Sequence, residues 1–228
     1  MSVSRLRILV ACEFSGVVRR AFAALGHDAW SCDLLPAEDG SPNHFQCDVR
    51  TLDLSKYDLL GGHPPCTFLT NAGVRHLHSV PSRNGVLPKI HGPARFKAMQ
   101  EAADFFAFLY HANVPSVYIE NPVMHGYARD YLASAWKVPS YNQLIQPWMF
   151  GHGETKATCL WLRNLPLLQP THRRDDLFCA QEPTAREARI HKMSPSADRS
   201  KLRSITFEGI AKAMAAQWGN LSINKTNP

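Results

Sequence analysis

The chain has 228 residues, 45% of them hydrophobic and 19% charged, with 25 Lys+Arg against 19 Asp+Glu and a formal net charge of +6. This size and composition exclude a disordered chain and a small disulfide-stapled scaffold, and fit a single α/β domain over 1–228 with residues enough to bury a core. The basic balance permits a polyanionic partner without requiring one, and no apolar run reaches the roughly 18 residues of a membrane span.

The N-terminal MSVSRLRILVACEF is too short and polar for a secretory leader and leads directly into a strand-like run. Residues Arg7 to Cys12 read as a buried strand. Val17 to Leu25 places Val17, Val18, Ala21, Phe22 and Leu25 at helical spacing, with Gly26 where a C-cap glycine belongs. Asp28 to Asp33 reads as a second strand and Tyr57 to Gly61 as another, closed by Gly62, His63, Pro64 and Pro65. Pro93 to Ala112 reads as a helix with proline in its first turn. Val114 to Glu120 and Thr158 to Leu162 read as strands, and Ile210 to Trp218 as a last helix. Strands alternating with helices predict a mostly parallel sheet covered on both faces, with ligands bound beyond the carboxyl ends of its strands.

Two stretches lack regular signals, Thr67 to Gly92 and Pro166 to Ser204, and both are long enough to be functional loops. From Thr67 through Lys97 there is no Asp or Glu, while Arg75, Arg83, Lys89, Arg95 and Lys97 fall in the same span. Such a loop suits a phosphate-rich substrate, as an alternative to a solvated surface that is basic by chance. The six cysteines make no CxxC pair, which predicts free thiols in a reducing cytoplasm and no metal site.

The chemistry-bearing residues fall at predicted strand ends. Cys66 follows a stiff Pro-Pro turn that would hold its sulfur in place, as a nucleophile or as a small buried hydrophobe. Glu120 closes a strand in Glu120-Asn121-Pro122, as a general acid or as a loop-fixing carboxylate. Glu13, Phe14, Ser15 and Gly16 form a turn between a strand and a helix where a cofactor can approach the backbone. Asp33 ends the second strand at the place where a carboxylate takes ribose hydroxyls, and Asp48 is a further acidic strand end.

In chain order, FSG, Asp33, CDV, DLLGGHPPC and ENP resemble the DNA cytosine-C5 methyltransferases, here in a compact, phage-like form. The resemblance spans about Ile8 to Asn220, with Thr67 in place of a glutamine and Pro122 in place of a valine. It implies a Rossmann-like class I S-adenosylmethionine-dependent methyltransferase fold that acts on DNA. It implies Cys66 and Glu120 as catalytic residues, and Glu13, Phe14, Ser15, Gly16, Asp33, Asp48, Pro64 and Asn220 around the cofactor, the last through Gln217-Trp218-Gly219-Asn220. Asn121, Arg75, Arg83, Lys156 and Thr158 would face the substrate. Residues 67–92 would be an active-site loop, and 164–204 a recognition segment much reduced from the family's. The alternatives are the same C5 chemistry on free dCMP or dUMP, a non-catalytic nucleic-acid-binding relative, and an adenine amino-methyltransferase. The last fits least, because its Pro-Pro motif normally ends in an aromatic residue.

Overall fold

The computed structural model describes residues 5–81, 85–172 and 203–220. Among these, seven strands form one sheet: β1 (Arg7–Ala11), β2 (Asp28–Asp33), β3 (His44–Gln46), β4 (Leu59–Gly62), β5 (Ser116–Pro122), β6 (Gln143–Ile145) and β7 (Thr158–Arg163). Their spatial order is β3-β2-β1-β4-β5-β7-β6, parallel from β3 to β5, with β7 antiparallel to both of its neighbours. The described helices are α1 (Val17–Ala23), α2 (Gly92–Tyr110), α3 (Gly126–Trp136) and α4 (Glu208–Trp218). The fold is α/β and Rossmann-like, as expected from the sequence.

Strand alternation divides the core between the two faces. Ile8 and Val10 of β1 pack with Val18 and Phe22 of α1 and with Ile210, Met214 and Trp218 of α4. Leu9 and Ala11 point the other way, toward Met99, Ala103 and Phe106 of α2 and Leu132 of α3. Each large apolar side chain buried in these layers contributes about 1.5–3 kcal/mol. Helix α1 ends as its glycine signal implies: Gly26 has φ +87, and the His27 amide reaches back to the Phe22 carbonyl.

Several elements differ from the sequence expectation. β3 and β6 are three-residue strands at the two edges of the sheet, too short to carry an alternation. α3 buries only Ala128 and Leu132, so its apolar stripe is faint. The Gly61-Gly62 pair belongs to β4 itself: a Cβ on Gly61 would overlap the Tyr118 ring and one on Gly62 would meet Ile119. The stretch expected to be irregular after Cys66 contains a 3-10 helix, Asn71–His78. No described helix is long and apolar enough to cross a membrane.

Strand direction fixes where chemistry can occur. Cys66 and Glu120 follow or close parallel strands and so lie at the carboxyl edge of the sheet, where antiparallel β7 begins with Thr158 opposite Pro122. Helix α4 starts at that same edge, because Thr206 reaches Glu120. It ends at the opposite edge, where Gly219 lies against His27 just before β2.

Candidate active site

Cys66 is partly buried after the Pro-Pro turn, in which Pro64 is buried and Pro65 exposed. Burial pushes its thiol pKa above the ordinary value; the cations of Lys156 and Arg203 pull it back, and Glu120 adds to the rise. Glu120 and Lys156 form an ion pair at 4.0 Å with side chains only 10% and 13% exposed. Lys156 also lies over the Phe207 ring, 5.9 Å from its centroid. Its backbone is fixed from both sides, the amide donating to Gln146 Oε1 at 2.9 Å and the carbonyl accepting from the Thr158 hydroxyl at 3.2 Å. Thr158 therefore positions Lys156 through this bond.

A buried polar chain backs Glu120. Thr206 Oγ1 donates to Glu120 Oε2 at 3.4 Å and lies 3.4 Å from His63 Nδ1. His63 Nε2 lies 3.2 Å from the Tyr118 hydroxyl. Burial lowers the His63 pKa, against the pull of Glu120, so the ring is neutral at pH 7. Burial also raises the Tyr118 hydroxyl well above its usual range. Asn121, the neighbour of Glu120, is buried with both amide atoms unpartnered among the described residues. An orphaned buried carboxamide next to Glu120 marks a place where a ligand could supply the missing bonds.

The cofactor candidates lie on the neighbouring turns. Glu13 accepts the Val18 and Arg19 amides at 2.6 and 3.2 Å, so the first turn of α1 is capped by the chain's own carboxylate. Burial carries that carboxyl up to about 7, opposed by the two amides and by Arg19 and Arg20. Gly16 sits at the N-cap of α1 with φ +66, and the Phe14 carbonyl takes the Glu38 amide from the loop after β2. Arg19 and Arg20 both hold Asp39 of that loop, at 2.5 and 2.8 Å. Asp33 accepts the Leu35 amide at 2.9 Å, and Asp48 caps a short 3-10 turn while pairing with Arg50. Cys12 lies within the field of both Asp33 and Asp48; burial first, then these carboxylates, push its thiol to about 12. With the α1 amides already occupied by a carboxylate, this cleft is unsuited to a pyrophosphate.

The structure thus brings together Cys66, Glu120, Asn121, Lys156 and Thr158, and places Glu13, Phe14, Ser15, Gly16, Asp33, Asp48 and Pro64 on adjoining turns of the same edge. It separates Asn220 from them. That residue caps the far end of α4, donating to the Ala216 carbonyl at 2.8 Å, while Gln217 and Gln169 exchange two bonds. The QWGN segment lies at the edge opposite Glu120, and Thr206 and Phe207 at the start of α4 lie at the edge that holds Glu120. Arg75 is exposed on the 3-10 helix after Cys66. Arg83 and nearly all of 164–204 beyond His172 lie outside the described residues. His63, Tyr118 and Thr206 were missed from sequence, because tertiary contacts alone bring them to Glu120. Among the described residues no group of His, Cys, Asp or Glu is arranged to hold a metal.

The class defined here is an α/β Rossmann-like fold with a thiol, an acid and a cation gathered at the carboxyl edge of its sheet. No family model matches the chain, and no curated protein matches it. Solved structures do match at low similarity. One is of a candidate DNA modification methyltransferase encoded within an E. coli prophage, at 13% identity and TM-score 0.43, over 68% of this chain and 45% of that one. Another is the S. pombe Dnmt2 methyltransferase, at 18% identity and TM-score 0.39, over 70% and 49%. A third is the Entamoeba histolytica methyltransferase EhMeth, at 10% identity and TM-score 0.43, over 75% and 58%. The chain spans about half the length of the structures it matches. At these identities and scores none of them carries an activity over to this chain, and the fold rests on its strand order.

Proposed function

We propose that this chain methylates C5 of cytosine in DNA, with Cys66 as nucleophile and Glu120 as the acid facing the base. The observation that carries the reading is the convergence of Cys66, Glu120 and Lys156 at one end of the sheet, where Lys156 pairs with the acid and its charge favours the thiolate. The unpartnered Asn121 carboxamide supports a ligand there.

Cytosine C5 is too weak a nucleophile to act unaided. The Cys66 thiolate gives its electron pair to C6, and the C5–C6 π pair moves onto C5. Glu120, having taken up the proton that Cys66 gives up, donates it in a hydrogen bond to N3, which stabilises the charge delocalised over the ring. The Glu13–Gly16 turn and Asp33 would hold S-adenosylmethionine, whose sulfonium would supply a methyl group to C5 as its S–CH3 bond breaks and S-adenosylhomocysteine leaves. Loss of the C5 proton to a base restores the double bond as the C6–S pair returns to sulfur. Lys156 and Arg203 favour the ionised sulfur at both ends of this cycle. In a duplex the target base must leave the stack to reach a thiol set at a sheet edge.

Tritium transfer from labelled S-adenosylmethionine to DNA, compared with dCMP and dUMP, tests the reading. Cys66→Ala is expected to bring transfer to background while calorimetric cofactor binding persists. Turnover by that variant would overturn the nucleophile assignment, and transfer to the free nucleotides alone would overturn DNA as the substrate.

A further inference from the structure

Beside Cys66, three rings from three elements meet on the surface. Tyr127, in the first turn of α3, is 44% exposed. Its hydroxyl lies 2.9 Å from His78 Nε2, at the end of the 3-10 helix. The His78 and Tyr127 centroids are 5.4 Å apart at 59°. Phe96 of α2 sets its edge against both, 5.7 Å and 81° from Tyr127 and 6.0 Å and 80° from His78. All three elements come together at the carboxyl edge of the sheet, the edge that holds Cys66.

We propose that Tyr127 and His78 form a stacking platform for an unpaired base of a single-stranded or locally opened polynucleotide. This deepens the reading above and rests on it. Tyr127 is held by one hydrogen bond and by the edge of Phe96, so little rotamer freedom is lost when a base stacks on it. The surroundings suit a polyanion: no Asp or Glu occurs from Thr67 through Lys97, and Arg75, Lys89 and Arg129 are exposed there and on the first turn of α3. The first turn of α3 holds no acid, Asp130 follows it, and Glu101 of α2 is engaged by Lys97 at 3.9 Å. A basic surface carrying an exposed, immobilised aromatic is the combination that single strands use, because every base has a π face.

The platform keeps a fixed relation to the thiol. The Arg95 guanidinium lies 5.1 Å from the Phe68 ring centroid and donates to the Thr67 carbonyl at 3.4 Å. His125, two residues before Tyr127, donates from its backbone to Leu69 and from Nε2 to Phe68, at 2.9 and 3.0 Å. The three residues after Cys66 and the start of α3 therefore form one clamped block. A base stacked on Tyr127 would flank the nucleotide presented to Cys66.

Fluorescence anisotropy with a labelled single strand of about fifteen nucleotides, and with its duplex, tests this on the full chain. Single strand is expected to bind more tightly than duplex. Tyr127→Leu should weaken single-strand binding about 5- to 150-fold, and Tyr127→Phe should stay within about threefold of the parent. Thermal unfolding and calorimetric S-adenosylmethionine binding, unchanged in both variants, establish that the fold persists. An effect below about twofold for Tyr127→Leu, or equal losses for Leu and Phe, would overturn the platform. The two readings fail separately. Ring-dependent strand binding without methyl transfer upholds the platform and sinks the reaction. Transfer with binding indifferent to Tyr127→Leu does the reverse.

Discussion

Replacing Thr206 with valine removes one hydroxyl while keeping the residue's shape, at a site only 3% exposed. That hydroxyl lies 3.4 Å from both the Glu120 carboxylate and the His63 ring. Both contacts are long, so each falls at the low end of its range: about 1.5 kcal/mol for the bond to a charged acceptor and about 0.5 kcal/mol for the neutral one. The loss of about 2 kcal/mol should lower Tm by about 4–8 °C for a chain of this size. Of this, the carboxylate part bears on the reacting centre, because Glu120 would keep Lys156 and lose the group that fixes its second oxygen. Loss of about 1.5 kcal/mol of positioning corresponds to about a tenfold slower single turnover. Calorimetry and single-turnover tritium transfer measure the two effects, and Thr206→Ser, which keeps the hydroxyl, should recover most of both. A valine variant with Tm within about 1 °C of the parent and an unchanged rate would refute the claim that Thr206 holds Glu120.

Gly61→Ala should cost about 1–3 kcal/mol through overpacking, because its methyl would press on the buried Tyr118 ring that stacks near Trp218. A thermal melt equal to the parent's would show that β4 and β5 do not need a glycine at this crossing. His125→Asn keeps an acceptor for the Ala128 amide but loses the bond to Phe68. His125 titrates below its ordinary 6.5, chiefly through burial. The unfolded chain therefore takes the proton first, and the stability this ring contributes is full above about pH 6.5 and declines as pH falls toward the lower folded value. Urea midpoints should accordingly fall less steeply on acidification for the asparagine variant than for the parent. Parallel pH profiles would contradict the assignment.

Local pattern alone determined the sheet-and-helix alternation, the strands that start at Arg7, Asp28 and Thr158, and the position of Cys66 and Glu120 at strand ends. These follow from period-2 and period-3.6 burial and from proline and glycine chemistry, which act within a few residues. Weakly patterned elements escaped for the same reason. β3, β6 and α3 bury too little of themselves to leave a signature, and tertiary contacts decide their form.

The composition of the site was legible only in part. That Lys156 pairs with Glu120, that Thr206 bridges Glu120 and His63, and that Tyr127 meets His78 and Phe96 are contacts between residues far apart in the chain. The separation of Asn220 from the other candidates has the same root: a motif can be read from letters, but the edge it occupies depends on the direction of α4. Strand ends and turn residues are set by short-range sterics and so are written in the sequence. The pairing of acid, cation and thiol is set by antiparallel β7 and the return of α4, which exist only once the sheet has closed around its two cores.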